Sequence, residues 1–229
     1  MEYQEISLSC ASPACSLPTN PAHRSGPRCE ETHRQMRVLG PTFWLVGLAL
    51  SATAAHGLPP LQLFVDLTPA GGTLRPPPGV YSGPVLISKP LTLEGNGEVT
   101  VDNEGKGTLL TVRADGTVIR GIKLINSGDS HNDLDGGLLL EANDTLIEEN
   151  VIESTLFGIV LNQANGNTIR NNKIGSRGDT PSLRGDGIRL WYSKRNLIEG
   201  NTIDRVRDLV FTNSSDNNIE RNLILSLIH

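Results

Sequence analysis

The residues best equipped for chemistry fall in two stretches. The first holds Asp186, Arg189, Trp191 and Tyr192, with Arg207 one repeat further on. A carboxylate, two guanidiniums and two aromatic rings make a set suited to gripping a protein or sugar surface. The second holds Asp129, His131, Asp133 and Asp135, alternating acids around one imidazole. Such a loop could offer oxygen ligands to a hard cation such as Ca²⁺. It lacks a regular Asp-x-Asp-x-Asp-Gly run with a distal Glu, so a solvated acidic turn is the preferred reading and no metal site is assigned. Glycoside cleavage would need two carboxylates roughly 5–10 Å apart across a groove. Asp135, Asp186 and Asp208 fall near one strand end but in different registers, and no clustered Asp motif accompanies them. No catalytic residue is expected; an exported carbohydrate-binding or polysaccharide-cleaving protein, a glycosidase or lyase, is the alternative.

These side chains are carried by a repeat. The pattern Ile, charged, any, Asn, any, Ile (Val, Leu or Gly among the variable positions) occurs at residues 147–152, 169–174, 198–203 and 219–224, with a degenerate copy at 119–124. Successive copies start 28, 22, 29 and 21 residues apart, too short for a unit to bury a core alone. About ten residues upstream of each copy lies a second strand, with apolar pairs Leu109/Thr111, Leu138/Leu140, Ile159/Leu161, Ile188/Leu190 and Leu209/Phe211. Alternating apolar positions separated by Gly, Asn and Asp, with no room for crossover helices, predict stacked strands. The fold class is all-β, a right-handed single-stranded parallel β-helix, with Ile columns inside and one coil every roughly 4.8 Å. The Asn column is expected to satisfy turn backbone and pair from coil to coil, a structural task with no binding role.

The register places the candidate residues. Ile188 and Leu190 point inward, so Arg189 points out. Trp191 and Tyr192 stand where neighbouring coils carry Asn162-Gln163 and Thr212-Asn213, so at least one ring should be exposed. A binding patch and a ring packed under the 175–186 loop both fit. Asp186 falls beside Arg207, which suits a ladder ion pair. Two insertions, 127–136 and 175–186, lie two coils apart and should project from one side, separated by on the order of 10 Å.

Four regions are expected. Residues 36–54 carry Arg37, an apolar run over 43–50 and small residues over 51–55, the zones of a secretory signal peptide, with cleavage after Ala54. That run is too short to span a bilayer. Residues 1–35 hold all three cysteines, Cys10, Cys15 and Cys29; they read as a disordered leader or as sequence upstream of a true start at Met36. Residues 55–80 form an N-terminal cap, with a short helix presenting Leu61, Phe64 and Leu67 and a Gly71-Gly72 turn. Residues 81–229 are coils, and the uncapped end after Ile224 predicts a solenoid that continues in a longer protein. A net charge of −5 argues against nucleic acid as a partner.

The stretch from Arg184 to Asn201, followed by residues 206–214, resembles the NosD family, as do Gly128-Asp129-Ser130-His131 and the segment 67–85. The resemblance covers roughly residues 60–222 and implies a periplasmic β-helix that assists, with an ABC transporter, the maturation of the copper-sulfide centre of nitrous oxide reductase. It implies those two proteins as partners. Copper favours Cys, Met and His. The expected mature chain has no Cys or Met and only His56, His131 and His229. A scaffold that engages the reductase or transporter is therefore preferred to a tight copper binder, and no cofactor is assigned.

Overall fold

The computed structural model describes residues 57–178 and 183–225. The expected leader, the signal peptide and the tip of the second insertion lie outside these residues. Every strand pairing is parallel, and the coil has three faces. On the first face Leu146–Glu148, Thr168–Arg170, Leu197–Glu199 and Asn218–Glu220 stack in register. On the second, Val151–Thr155, Lys173–Ser176, Thr202–Asp204 and Leu223–Leu225 do the same. Thr92–Asp102 and Val118–Ile125 run across both faces and join them into one 12-stranded sheet. The third face is a separate six-stranded sheet of Val85–Ile87, Leu110–Val112, Gly136–Leu140, Phe157–Asn162, Ile188–Trp191 and Leu209–Thr212.

The repeat pattern explains these faces residue by residue. Its two Ile positions lie one on each of the first two faces and point inward; Ile147, Ile152, Ile169, Ile174, Ile198 and Ile203 are all buried. Each contributes roughly 1.5–3 kcal/mol by leaving water. In the fourth copy, at the last described coil, Ile219 and Ile224 remain 44% and 50% exposed. The variable residue before each Asn takes the left-handed conformation that turns the chain from one face to the next, as at Glu149 (φ 56°), Asn171 (φ 55°) and Gly200 (φ 63°). The Asn itself is buried in that corner. Asn172 donates through Nδ2 to the Ile147 carbonyl (2.9 Å) and to Asn201 Oδ1 (3.0 Å), while its Oδ1 accepts from the backbone N–H and side-chain amide of Asn150, both at 3.0 Å. Asn150, Asn201 and Asn222 extend the ladder.

A second amide ladder, not foreseen from the repeat, runs through Asn167, Asn196 and Asn217 at the corner leading into the first face. Outward positions on the first face carry an alternating charge ladder. Arg120 lies 3.0 Å from Glu94 and 3.9 Å from Glu148, and Arg170 lies 2.7 Å from Glu148. The hydrogen bond from Arg120 holds the Glu94 carboxyl below its usual range against the opposing effect of desolvation.

Three details differ from expectation. The in-register pair on the third face is Leu110/Val112, not Leu109/Thr111: Leu110 pairs with Leu138, and Leu109 is buried in the preceding corner. Two consecutive leucines both turned inward hide the point where alternation begins. The helix Leu61–Leu67 buries Leu61 and Val65, with Phe64 edge-on to Tyr81 at 5.6 Å; Leu67 is 85% exposed. At about 100° per residue Leu67 sits 120° from Leu61, whereas Val65 sits only 40° away. The two insertions are also bridged directly, because Arg177 Nη1 donates to the Gly128 carbonyl at 3.0 Å. Among the described residues no helix is long and apolar enough to cross a membrane.

The helix caps the third face by imitation. The Gln62 side-chain amide accepts from the Leu86 N–H at 2.7 Å and donates to the Leu86 carbonyl at 3.1 Å, reproducing a strand pairing at the edge strand of the described third face.

Asn172→Ala removes four hydrogen bonds inside the stack and leaves buried backbone groups unpaired, so it is expected to cost about 3 kcal/mol. Urea unfolding should show the loss, with Lys173→Ala on the exposed neighbouring position changing stability by less than about 0.5 kcal/mol.

Candidate functional site

The five residues singled out on chemical grounds separate into two groups at opposite ends of one strand. Asp186, at the entry to Ile188–Trp191, is fully buried. Ile188 pairs with Leu209, so Arg207, like Asp186, stands two residues before its strand. Arg207 donates to Asp186 Oδ1 through Nη2 at 2.8 Å and Nε at 3.2 Å, and Arg189 Nη1 donates to Oδ2 at 3.1 Å. The expected ladder pair is present, and a second arginine completes it. One coil earlier Phe157 holds the equivalent position; the Arg189 guanidinium lies 6.0 Å from its ring centroid, and the His131 ring meets it edge-on at 5.7 Å. The chain can pack this tightly at the strand entry because Gly137, Gly158 and Gly187 oppose the Ile column of the second face. A Cβ on Gly158 would lie 2.3 Å from the Gly187 carbonyl and 2.4 Å from Ile174.

Trp191 and Tyr192 lie at the other end, five residues along and roughly 16 Å from Asp186 at strand rise. Both rings are exposed, by 39% and 51%, and they meet each other edge-on at 5.4 Å. Phe157 and Leu156, rather than either of these rings, fill the space beneath the insertions. Beside Tyr192 an open groove of about 650 Å³ is lined by Gln163, Asn165, Lys194 and Arg195. The sequence reading missed these four because their proximity depends on coil register, although the alignment of Asn162-Gln163 with Trp191-Tyr192 pointed to the place.

The acidic loop forms a turn. Asp135 accepts from the Ser130 N–H through Oδ2 at 3.0 Å, and Asp133 accepts from the Ser130 hydroxyl at 2.7 Å. Asp129 and His131 instead line a cavity of about 310 Å³ with Leu156, Arg177, Gly178 and Leu183. Among the described residues no group of three or more His, Cys, Asp or Glu side chains could hold a metal ion.

Residues 108–227, just over half of the chain, match the family model described as a right handed beta helix region. The chain belongs to the right-handed β-helix family. Within that family it is NosD-like: it is 30% identical over 172 residues to the "Probable ABC transporter binding protein NosD" of Pseudomonas aeruginosa. The match covers 74% of this chain and 40% of that protein, so the chain spans well under half of the relative's length. An alginate lyase from Paenibacillus sp. str. FPU-7 shares the fold, with a TM-score of 0.59 at 19% identity over 72% of this chain and 63% of the lyase.

Among the described residues the donor set does not fit copper. His131 supplies the one imidazole among the described residues and is packed against Phe157; no Cys or Met occurs there. Each of the three strand-end acids has a partner within the described coils. Asp186 is held by two arginines, Asp135 is engaged in its turn, and Asp208 lies 3.5 Å from Arg207.

Asp186→Ala should therefore act on stability, with a loss of about 2–3 kcal/mol as a buried, doubly charge-assisted acceptor disappears. A double-mutant cycle with Arg207→Ala should give a coupling on the order of 1 kcal/mol, reduced because the Arg207 head reaches solvent. Both single variants should retain partner binding in the assay described next.

Proposed function

We propose that this NosD-like β-helix is a non-catalytic docking scaffold of the periplasm, which engages an ABC transporter during maturation of the copper-sulfide centre of nitrous oxide reductase. The observation that carries the docking reading is the exposed Trp191–Tyr192 pair. In a chain with only 4% aromatic residues, two large adjacent rings stand outside the core at the edge of a groove. Trp and Tyr in such positions dominate protein interfaces because they desolvate large areas at low entropic cost. The kinship with a protein named as binding an ABC transporter supplies the class of partner, and the resemblance of residues 184–214 to NosD supplies the reductase. Copper enters as the cargo of the assembled system, with no resident site on the described coils.

The rings also suit stacking on sugar, and the shared fold with an alginate lyase is compatible with that. The commitments in place around Asp135, Asp186 and Asp208 weigh against cleavage.

Affinity-tagged protein recovered from the periplasm should capture the transporter, or the reductase, encoded with it. Trp191→Ala should weaken that capture about 30-fold, the loss of about 2 kcal/mol typical of a central interface aromatic, with little change in melting temperature. A large drop in melting temperature would show that the ring serves the fold, and capture unaffected by the substitution would move the docking surface elsewhere.

A further inference from the structure

Tyr192 stands at a left-handed corner of its coil. Its φ is +48°, and the same corner in the flanking coils is held by Gln163 (φ 52°) and Asn213 (φ 50°). Left-handed backbone is tolerated by Asn and Gly but is unfavourable by roughly 1 kcal/mol for a bulky side chain. Burial does not offset that cost, since the Tyr192 ring is half exposed and touches Trp191 edge-on. Glu149, Arg195, Arg205 and Arg221 hold left-handed corners too, so what sets Tyr192 apart is its exposed ring, which stands where the flanking coils carry an amide side chain.

The two residues that follow add charge. Most basic side chains of the described coils are committed: Arg113 to Glu141, Lys123 to Glu153, Arg170 to Glu148, Arg207 to Asp186, and Lys89 to the Asp66 carbonyl. Lys194 and Arg195 are adjacent, exposed and, together with Lys173, without any such partner among the described residues. Their backbone is firmly held. The Lys194 N–H donates to Asn165 Oδ1 at 2.9 Å, Asn165 in turn donates to Asn143 Oδ1 at 3.1 Å, and the Arg195 N–H donates to the Ser215 carbonyl at 3.3 Å. The corner is therefore a rigid platform with two free cations, one exposed ring and two side-chain amides around a groove of about 650 Å³, and no carboxylate lines it. In the following coil Asp216 accepts from the Ser215 hydroxyl at 3.0 Å.

We infer that this groove receives an acidic segment of the docking partner, its carboxylates meeting Lys194 and Arg195 while the Tyr192 ring packs against the segment's apolar atoms. This rests on the docking reading and adds the chemistry of the surface recognised. On a chain of net charge −5, a local cationic groove favours an acidic partner at that place.

Two measurements separate this inference from the reading beneath it. Wild type, Lys194→Glu/Arg195→Glu and Tyr192→Asn are compared for binding to the detergent-solubilised transporter at low and raised ionic strength. They are also compared for binding to a hepta-glutamate peptide and to a galacturonate oligomer, with Trp191 fluorescence as the reporter. Charge reversal should weaken transporter binding at least tenfold, chiefly in the association rate, and abolish its salt dependence. Tyr192→Asn should weaken binding while leaving the melting temperature unchanged or raised, since Asn tolerates the left-handed corner. The peptide should bind wild type and not the charge-reversed variant. Transporter binding that is insensitive to charge reversal and salt overturns the inference while sparing the docking reading. Absent transporter binding with retained, charge-dependent peptide binding overturns the choice of partner while supporting an acidic ligand for the cationic groove. Binding of the galacturonate oligomer without the peptide, or of neither probe, overturns the inference.

Discussion

The whole molecule depends on hydrogen bonds that each coil can complete only with its neighbours. A coil of about 21 to 29 residues has too little apolar surface to fold alone, and its corners leave backbone groups facing inward. The amides of Asn150, Asn172 and Asn201 fill that deficit, each joining the backbone of one coil to the side chain of the next. Because the amides are buried and fully bonded, they set the coil spacing and hold the Ile columns in register. One-residue slippage would leave several of them unpaired at once.

That constraint determines where function can sit. Inward positions are consumed by Ile columns and amide ladders, and the outward positions of the first face by the Glu94–Arg120–Glu148–Arg170 ion pairs. Within the described part of the insertions, Ser130 closes on Asp133 and Asp135, and Arg177 on Gly128. Among the described residues, the exit corner of the third face is one place where side chains remain uncommitted: Trp191, Tyr192, Lys194 and Arg195 leave rings and charges open to solvent. Rigid coils beneath and free side chains above are the arrangement of a preorganised docking surface, which loses little entropy on association.

Much of this was legible in the residues. The Ile and Asn recurrences identified the parallel coil and its ladders, and counting register from Ile188 to Leu209 placed Asp186 beside Arg207. Legibility failed where a local rule competed with another. Leu109 and Leu110 are both apolar, so alternation could not reveal which begins the strand. Leu67 continued an apolar spacing that the helix does not bury. The grouping of Asp186 with Trp191 failed for a different reason: five residues of extended chain hold the two side chains roughly 16 Å apart, at opposite ends of the strand. The freedom of Lys194 and Arg195 is a property of neighbouring coils, and no single stretch of sequence records it.

The central claim is that this corner is the docking surface, and hydrogen–deuterium exchange of the chain with and without the transporter tests it most directly. Slowed exchange concentrated in residues 163–166 and 191–195, with the Asn-ladder corners unchanged because they are already protected, is the expected result. Protection confined to the 127–136 insertion, or none anywhere on the third face while the transporter is bound, would contradict it.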